Sequence, residues 1–189
     1  MRIGVVSDTH GYFDPRLPQR LEGVTEILHA GDVGSPQVLD RLRAVAPVQA
    51  VRGNIDAPSL DLPPTLTWRY DGVEIYMLHE LPRPQSVLRE WAKAVPLEGK
   101  QADHCNRFLR TFPEQCRVVI FGHSHEPCLQ ALAGKLFFNP GSAGKKRFSL
   151  PRCCGMLEVL PRGVRATFLS LERYNEDLPG DVWLPVGGL

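Results

Sequence analysis

The sequence predicts an α/β protein arranged as a sandwich of partly antiparallel sheets, and three observations carry that prediction. Short apolar runs, several rich in Val and Ile, recur along the chain with the length and density expected of strands buried on both faces. Between the first three runs lie segments that can be helical, which is the strand–helix alternation of parallel pairing. Toward the end the runs come in pairs joined by tight turns, which is the mark of antiparallel pairing.

The first strand is expected at Ile3–Val6, followed by a helical segment over Pro15–Leu21 and a second strand at Glu26–His29. Pro36–Ala44 forms the next helix, with Ser35 as its N-cap and Pro36 at its first position, and leads into a strand at Val48–Val51. Two further strands, Val73–Leu78 and Val118–Phe121, bracket a stretch of different texture from Pro82 to Pro113. Helical patterns cover Gln85–Val95 and Gln101–Phe112 there, with Val87, Leu88, Trp91 and Val95, then Phe108, Leu109 and Phe112, recurring at helical spacing. That stretch reads as an insertion or flap within one domain spanning 1–189. Hairpins follow at Leu129–Leu132/Leu136–Phe138, across Ala133-Gly134, and at Met156–Leu160/Arg165–Leu169, across Pro161-Arg162-Gly163. From Asn175 to Leu189 there is no periodicity, and Pro179, Gly180, Pro185, Gly187 and Gly188 suggest an irregular terminal strap.

At 189 residues, 43% hydrophobic and 23% charged, the chain has the composition of an ordinary globular protein and not of a disordered or fibrous one. A net charge of +1 supplies no bulk field for nucleic acid or an anionic membrane, so neither is indicated as a partner. The five cysteines are odd in number and contain no Cys-x-x-Cys pair, which excludes a disulfide framework and a zinc knuckle and suits a reducing compartment. No apolar stretch approaches the roughly 20 residues of a membrane helix. Asp8 and His10 come too early for a signal-peptide core. A cytoplasmic location without a membrane segment is therefore expected.

The chemistry gathers where strands end. Asp8 and His10 follow the first strand, in Ser7-Asp8-Thr9-His10-Gly11, and Asp32 follows the second, in Gly31-Asp32-Val33-Gly34. Asn54 follows the third, in Gly53-Asn54-Ile55-Asp56, His79 ends Val73–Leu78, and Gly122-His123-Ser124-His125 follows Val118–Phe121. In α/β sheets ligands bind at this carboxyl edge. Singly, each Asp or Asn is explained by a turn or a helix cap. Jointly, imidazoles, carboxylates and one amide oxygen at one edge make an N/O site for divalent metals. Seven ligands are too many for one ion, and Asp32, central in the order, is the natural bridge of a two-metal site with ions roughly 3.5–4 Å apart.

Asp8-Thr9-His10, Gly31-Asp32, Gly53-Asn54, His79 and Gly122-His123-Ser124-His125 resemble the five ordered motifs of the calcineurin-like metallophosphoesterases. Gly53-Asn54-Ile55-Asp56 and Asn139-Pro140-Gly141-Ser142 resemble more closely the small prokaryotic phosphodiesterases of the YfcE/MJ0936 group, whose eukaryotic relative is Vps29. The resemblance spans residues 1 to about 170, apart from Pro82–Pro113. It implies a four-layer αββα sandwich of two mixed sheets flanked by helices. It also implies two divalent ions, one on Asp8, His10, Asp32 and His125 and the other on Asp32, Asn54, His79 and His123. Asp32, Asn54 and His123 become the catalytic residues. The implied reaction is hydrolysis of a small-molecule or nucleotide phosphodiester by metal-activated hydroxide. Mn²⁺ is favoured over Fe, Ni, Co or Zn by the all-N/O donor set.

Two positions depart from the pattern: Ile55 stands where relatives often carry a leaving-group His, and Glu80 stands after His79 where Gly is usual. The rival reading is a Vps29-like protein-interaction scaffold without catalysis, against which the complete ligand set argues. A homo-oligomer remains open. The remaining candidates read structurally. His29 is a hydrogen-bonded core or supporting histidine, and His104 a surface residue. Lys145, Lys146, Arg147 and Arg152 form a solvated basic run, and Cys153 and Cys154 belong to the core.

Overall fold

A computed structural model describes residues 1–94, 96–147, 149–172 and 178–185. Backbone pairing sorts its strands into two mixed sheets. In the first, β1 (Arg2–Val6), β2 (Glu26–His29) and β3 (Val48–Ala50) run parallel, connected through the single helical turn α1 (Leu17–Arg20) and through α2 (Pro36–Arg43). In the second, β4 (Thr65–Tyr70) pairs antiparallel with β5 (Val73–Leu78), and the chain crosses by α3 (Gln85–Lys93) and α4 (Gly99–Leu109) to β6 (Cys116–Ile120), parallel to β5. The hairpin β7 (Cys128–Leu132) and β8 (Lys135–Asn139) completes that sheet in the order β4-β5-β6-β8-β7. Three antiparallel strands, β9 (Cys153–Leu160), β10 (Gly163–Ser170) and β11 (Val182–Pro185), extend the first sheet to β11-β10-β9-β1-β2-β3.

Period-two alternation then builds the layers. Ile3 and Val5 of β1, Leu28 of β2, Ile75 and Met77 of β5, Val118 and Ile120 of β6, and Phe138 of β8 form one buried cluster between the sheets. Contact there is close enough that a Cβ on Gly155 would overlap the Phe138 ring. The alternate residues face outward: Ile27 packs with Leu17, Leu39 and Leu42 of the first helical layer, and Val119 and Phe137 pack with Leu88, Trp91 and Phe108 of the second. The strands are apolar on both faces because a helix covers one face and the other sheet covers the opposite one. This is the four-layer αββα architecture.

The 82–113 stretch is helical, as the apolar spacing indicated, and it supplies the outer helical layer of the second sheet. Phe108 lies 5.4 Å from Trp91, 5.0 Å from Phe112 and 5.6 Å from Phe137, ring centre to ring centre, so the apolar stripe is spent on core. Val95 falls outside the described residues. Part of the expected C-terminal strap is strand β11, because Leu184 enters the inter-sheet cluster while the backbone pairs with β10. Residues 175–177 and 186–189 lie outside the described residues. Strand β4, absent from the sequence reading, is paired to β5 through Asp71-Gly72, both in the left-handed region (φ 46° and 81°), as a two-residue hairpin turn demands. Among the described residues no helix is long and apolar enough to cross a membrane.

Phe108→Ala removes the centre of this aromatic cluster and is expected to lower stability by about 3–5 kcal/mol, measured as a fall in urea midpoint with unchanged m-value.

Candidate metal centre

All seven candidate ligands come together. Asp8 and His10 follow β1, Asp32 follows β2, Asn54 follows β3, His79 follows β5, and His123 and His125 follow β6. The turns are stitched to one another, two of the bonds crossing between the sheets and one joining neighbouring turns of the first. His79 Nδ1 donates to the Ala30 carbonyl at 2.7 Å, the His123 backbone N–H donates to Asp8 Oδ2 at 3.1 Å, and the Ile55 N–H donates to Asp32 Oδ1 at 3.1 Å. Asp56 joins two turns from below by accepting from the Gly34 and Gly53 N–H groups at 2.7 and 2.8 Å.

Local sequence preference does not favour these turns. Asp8, His10, Asp32, His123 and His125 all sit at positive φ, between 48° and 69°, a region that L-residues enter at a cost of roughly 1–2 kcal/mol each. Tertiary packing imposes the conformation, and it aims five side chains into one volume. Neighbouring glycines make the room: a Cβ on Gly53 would collide with Asp32, and one on Gly122 would collide with Ser7 and Asp8.

The side chains meet as acceptors. His10 Nε2 and His125 Nε2 face each other at 3.0 Å in stacked rings, so at most one proton lies between them. His79 uses its Nδ1 hydrogen on Ala30, so its Nε2, 3.0 Å from Asn54 Oδ1 and 3.4 Å from Asp32 Oδ1, presents a lone pair there when the ring is neutral and a hydrogen when it is protonated. Asp8 Oδ1 is buried without a hydrogen-bond partner, 3.5 Å from His125 Nε2. Asp8–His10–His125 and Asp8–Asp32–His79 each bring their ligand atoms within 4.8 Å of one another. Lone pairs that converge around an unpartnered buried carboxylate oxygen fit a cation, the one kind of group that would satisfy them together.

Protonation follows the same logic. Burial pushes the Asp8 carboxyl up to about 6. Burial also opposes ionisation of Asp32, but hydrogen bonds from His79 and the Ile55 N–H, with the charges of His79 and His10, outweigh it and hold Asp32 at about 2. Burial, then His10 and Arg147, takes His125 down to about 4, and burial with Arg147 lowers His10. Burial lowers His79 too, yet Asp32 and the Ala30 carbonyl turn the balance upward.

Some supporting residues carried little or no signal in the sequence. His29 is fully buried; its Nδ1 accepts from the Gly31 N–H at 3.2 Å, so Nε2 carries the hydrogen toward Thr9 Oγ1 at 3.0 Å. Thr9 passes its own hydrogen to the Val33 carbonyl at 3.0 Å. One imidazole therefore ties the turn of Asp8 and His10 to the turn of Asp32, as its place in a buried strand suggested. Asp56 stood within a motif, but its two cross-turn bonds are visible only in the fold. His104 is exposed on α4, away from the ligands in the outer helical layer. Arg152 pairs with buried Asp14, while Lys145 and Arg147 are exposed. All five cysteines are buried and none is joined in a disulfide.

Residues 1–161 match the calcineurin-like phosphoesterase superfamily domain. The chain belongs to this superfamily. A probable metallophosphoesterase from Methanocaldococcus jannaschii is 32% identical over 162 residues, covering 81% of this chain and 71% of the relative. YfcE, a phosphoesterase from E. coli, shares the fold with a TM-score of 0.64 at 22% identity, over 97% of this chain and 100% of that one. Vps29 from Entamoeba histolytica, solved in complex with Zn²⁺, shares it with a TM-score of 0.67 at 20% identity, over 98% of both chains. Membership of the superfamily supports a metal-dependent phosphoesterase.

His29 gives the metal-free protein a pH dependence. Burial holds its folded pKa at about 4, below the unfolded 6.5, so the unfolded chain binds the extra proton between these values. Stability that is fully present above the unfolded pKa is lost as pH falls through the folded one. Urea midpoints of metal-free protein should fall from about pH 7 to about pH 4.5, with a slope shallower in His29→Gln by up to ~1.4 kcal/mol per pH unit. Equal slopes would mean that His29 is solvated.

Proposed function

We propose that the chain is a phosphodiesterase using two divalent metal ions, with Asp8, His10, Asp32 and His125 holding one and Asp32, Asn54, His79 and His123 the other. The orientation of Asp32 carries this reading. Its Oδ2 lies 3.7 Å from His10 Nε2 and its Oδ1 lies 3.4 Å from His79 Nε2, so one carboxylate offers an oxygen to each group. A bridging ligand needs that disposition. Mn²⁺ is favoured by the N/O donors, with Fe, Ni, Co and Zn as alternatives. When bound, such a pair supplies Lewis acidity toward phosphoryl oxygens and lowers the pKa of water toward neutrality.

The chain's own groups do the rest. Asn54 Oδ1 lies 3.0 Å from both His79 Nε2 and His123 Nδ1, which leaves the amide hydrogens of this exposed side chain for a phosphoryl oxygen. His123 lies on the open side, its side chain 42% exposed, and orients Asn54. Ile55, 47% exposed beside Asp32, has no proton to give a departing oxygen. The substrate is a small-molecule or nucleotide diester. A scaffold role is the second reading, because a Vps29 of the same fold is known with Zn²⁺ and metal binding alone does not separate the two. Turnover separates them: a scaffold predicts metal uptake with no hydrolysis of any ester.

Asp32→Ala is expected to lose both ions and at least ~10³-fold in kcat, since removing a shared ligand unpins both. Elemental analysis reads it, and two equivalents retained would remove Asp32 from the bridge. Without a donor at Ile55, aryl diesters should exceed matched alkyl diesters by a further factor of about 10²–10⁴ beyond that seen with an acid in place. Matched kcat/KM values measure it, and equal rates would reveal another acid.

A further inference from the structure

Beside the ligand cluster a cavity of about 540 Å³ opens between the exits of β5 and β6. One wall is the connection Glu80–Ser86, stiffened by Pro82 and Pro84, and the other includes Phe121 and His123. The floor is fixed by Gln85, which donates to the Glu126 carboxylate at 2.8 Å and accepts from the Ser124 hydroxyl at 3.0 Å. Arg89 neutralises Glu126 at 2.6 Å from outside the lining. One carboxylate, Glu80, and one guanidinium, Arg83, then set the charge of the lining. Glu80 stands at the junction with the ligand cluster, its Oε1 3.5 Å from His123 Nε2.

We propose that this cavity holds the second ester arm of a phosphodiester and that Glu80 selects diesters against monoesters. The proposal rests on the phosphodiesterase reading above and adds the substrate class: a diester with one uncharged, polar arm of nucleoside size. The volume lies in the range of small-ligand sites, roughly 300–1,000 Å³, and the walls mix proline and aromatic surface with a few polar groups. A monoester carries close to two negative charges above its second pKa of about 6, a diester one. The extra charge, about 6 Å from a carboxylate at an effective dielectric constant of about 40, is disfavoured roughly tenfold. Glu80 and Arg83 together leave the lining without a net charge, which suits an uncharged arm.

The full chain loaded with Mn²⁺ is assayed at about pH 8 on 4-nitrophenyl phosphate and methyl 4-nitrophenyl phosphate, which share a leaving group. Glu80→Gln is expected to raise the monoester-to-diester ratio of kcat/KM about tenfold. Calorimetry should show orthophosphate, which is mainly a dianion at this pH, binding more tightly by up to about a hundredfold because both of its charges are relieved, at unchanged Mn²⁺ content. Ser86→Trp, which fills the cavity, should lower kcat/KM for thymidine 5′-(4-nitrophenyl phosphate) relative to the methyl diester by about tenfold. A ratio and an orthophosphate affinity both within about twofold of wild type overturn the charge filter. Loss of Mn²⁺ from Glu80→Gln overturns it too, making Glu80 a ligand. An unchanged thymidine-to-methyl ratio in Ser86→Trp overturns the subsite. If wild type turns over neither ester, the phosphodiesterase reading fails and the subsite with it, while orthophosphate titration still reports separately whether Glu80 repels a dianion.

Discussion

Face-to-face packing of two sheets, with their parallel strands ending at one edge, is the constraint on which the ligand cluster depends. β1, β2 and β3 belong to one sheet and β5 and β6 to the other, so no single sheet holds all seven side chains. The inter-sheet core sets the separation, and the bond from His79 Nδ1 to the Ala30 carbonyl joins the two edges at 2.7 Å. A core change that shifts one sheet against the other therefore reaches the site directly, because interiors are close-packed and transmit displacement.

The cluster itself works against the stability of the metal-free fold. Five ligand residues occupy left-handed backbone, two imidazole nitrogens face each other, and Asp8 Oδ1 is buried unpartnered. Strain of this kind persists only where the surroundings over-determine it. Here His29, Thr9 and Asp56 do so, each tying two ligand turns together with hydrogen bonds from backbone or side chain. A cation bound among these acceptors would convert their mutual repulsion into shared attraction, so that binding energy and folding energy become coupled.

The region after β5 serves two ends with one stretch of chain. Its helices α3 and α4 close the outer face of the second sheet through Trp91, Phe108 and Leu88. Its first residues, Glu80–Pro84, together with Gln85 and Ser86 at the start of α3, form a wall of the cavity beside His123. The aromatic layer thereby backs a wall whose charge and shape sit next to His123, so under the proposed reading packing far from the ligands would reach substrate choice.

Most of this site was legible in the sequence, because each ligand follows an apolar run whose alternation marks a strand and because parallel strands present their carboxyl ends to one edge. Asp8, His10, Asp32, Asn54, His79, His123 and His125 could be named on that basis, and the hairpin turn at Asp71-Gly72 held a signal for β4 that the apolar runs alone did not convey. The stripe of Leu88, Trp91 and Phe108 showed that a face is buried without showing what buries it, since amphipathicity specifies a face and not its partner. Strand β11 had no pattern of its own and exists because β10 offers an open edge and the core a place for Leu184. The sequence by itself determined which residue types stand at the strand ends, and hence the chemistry available. Only the tertiary structure decided their left-handed turns, the split of the Asp32 oxygens between two groups and the place of Glu80 beside His123, because each depends on contacts between segments far apart in the chain.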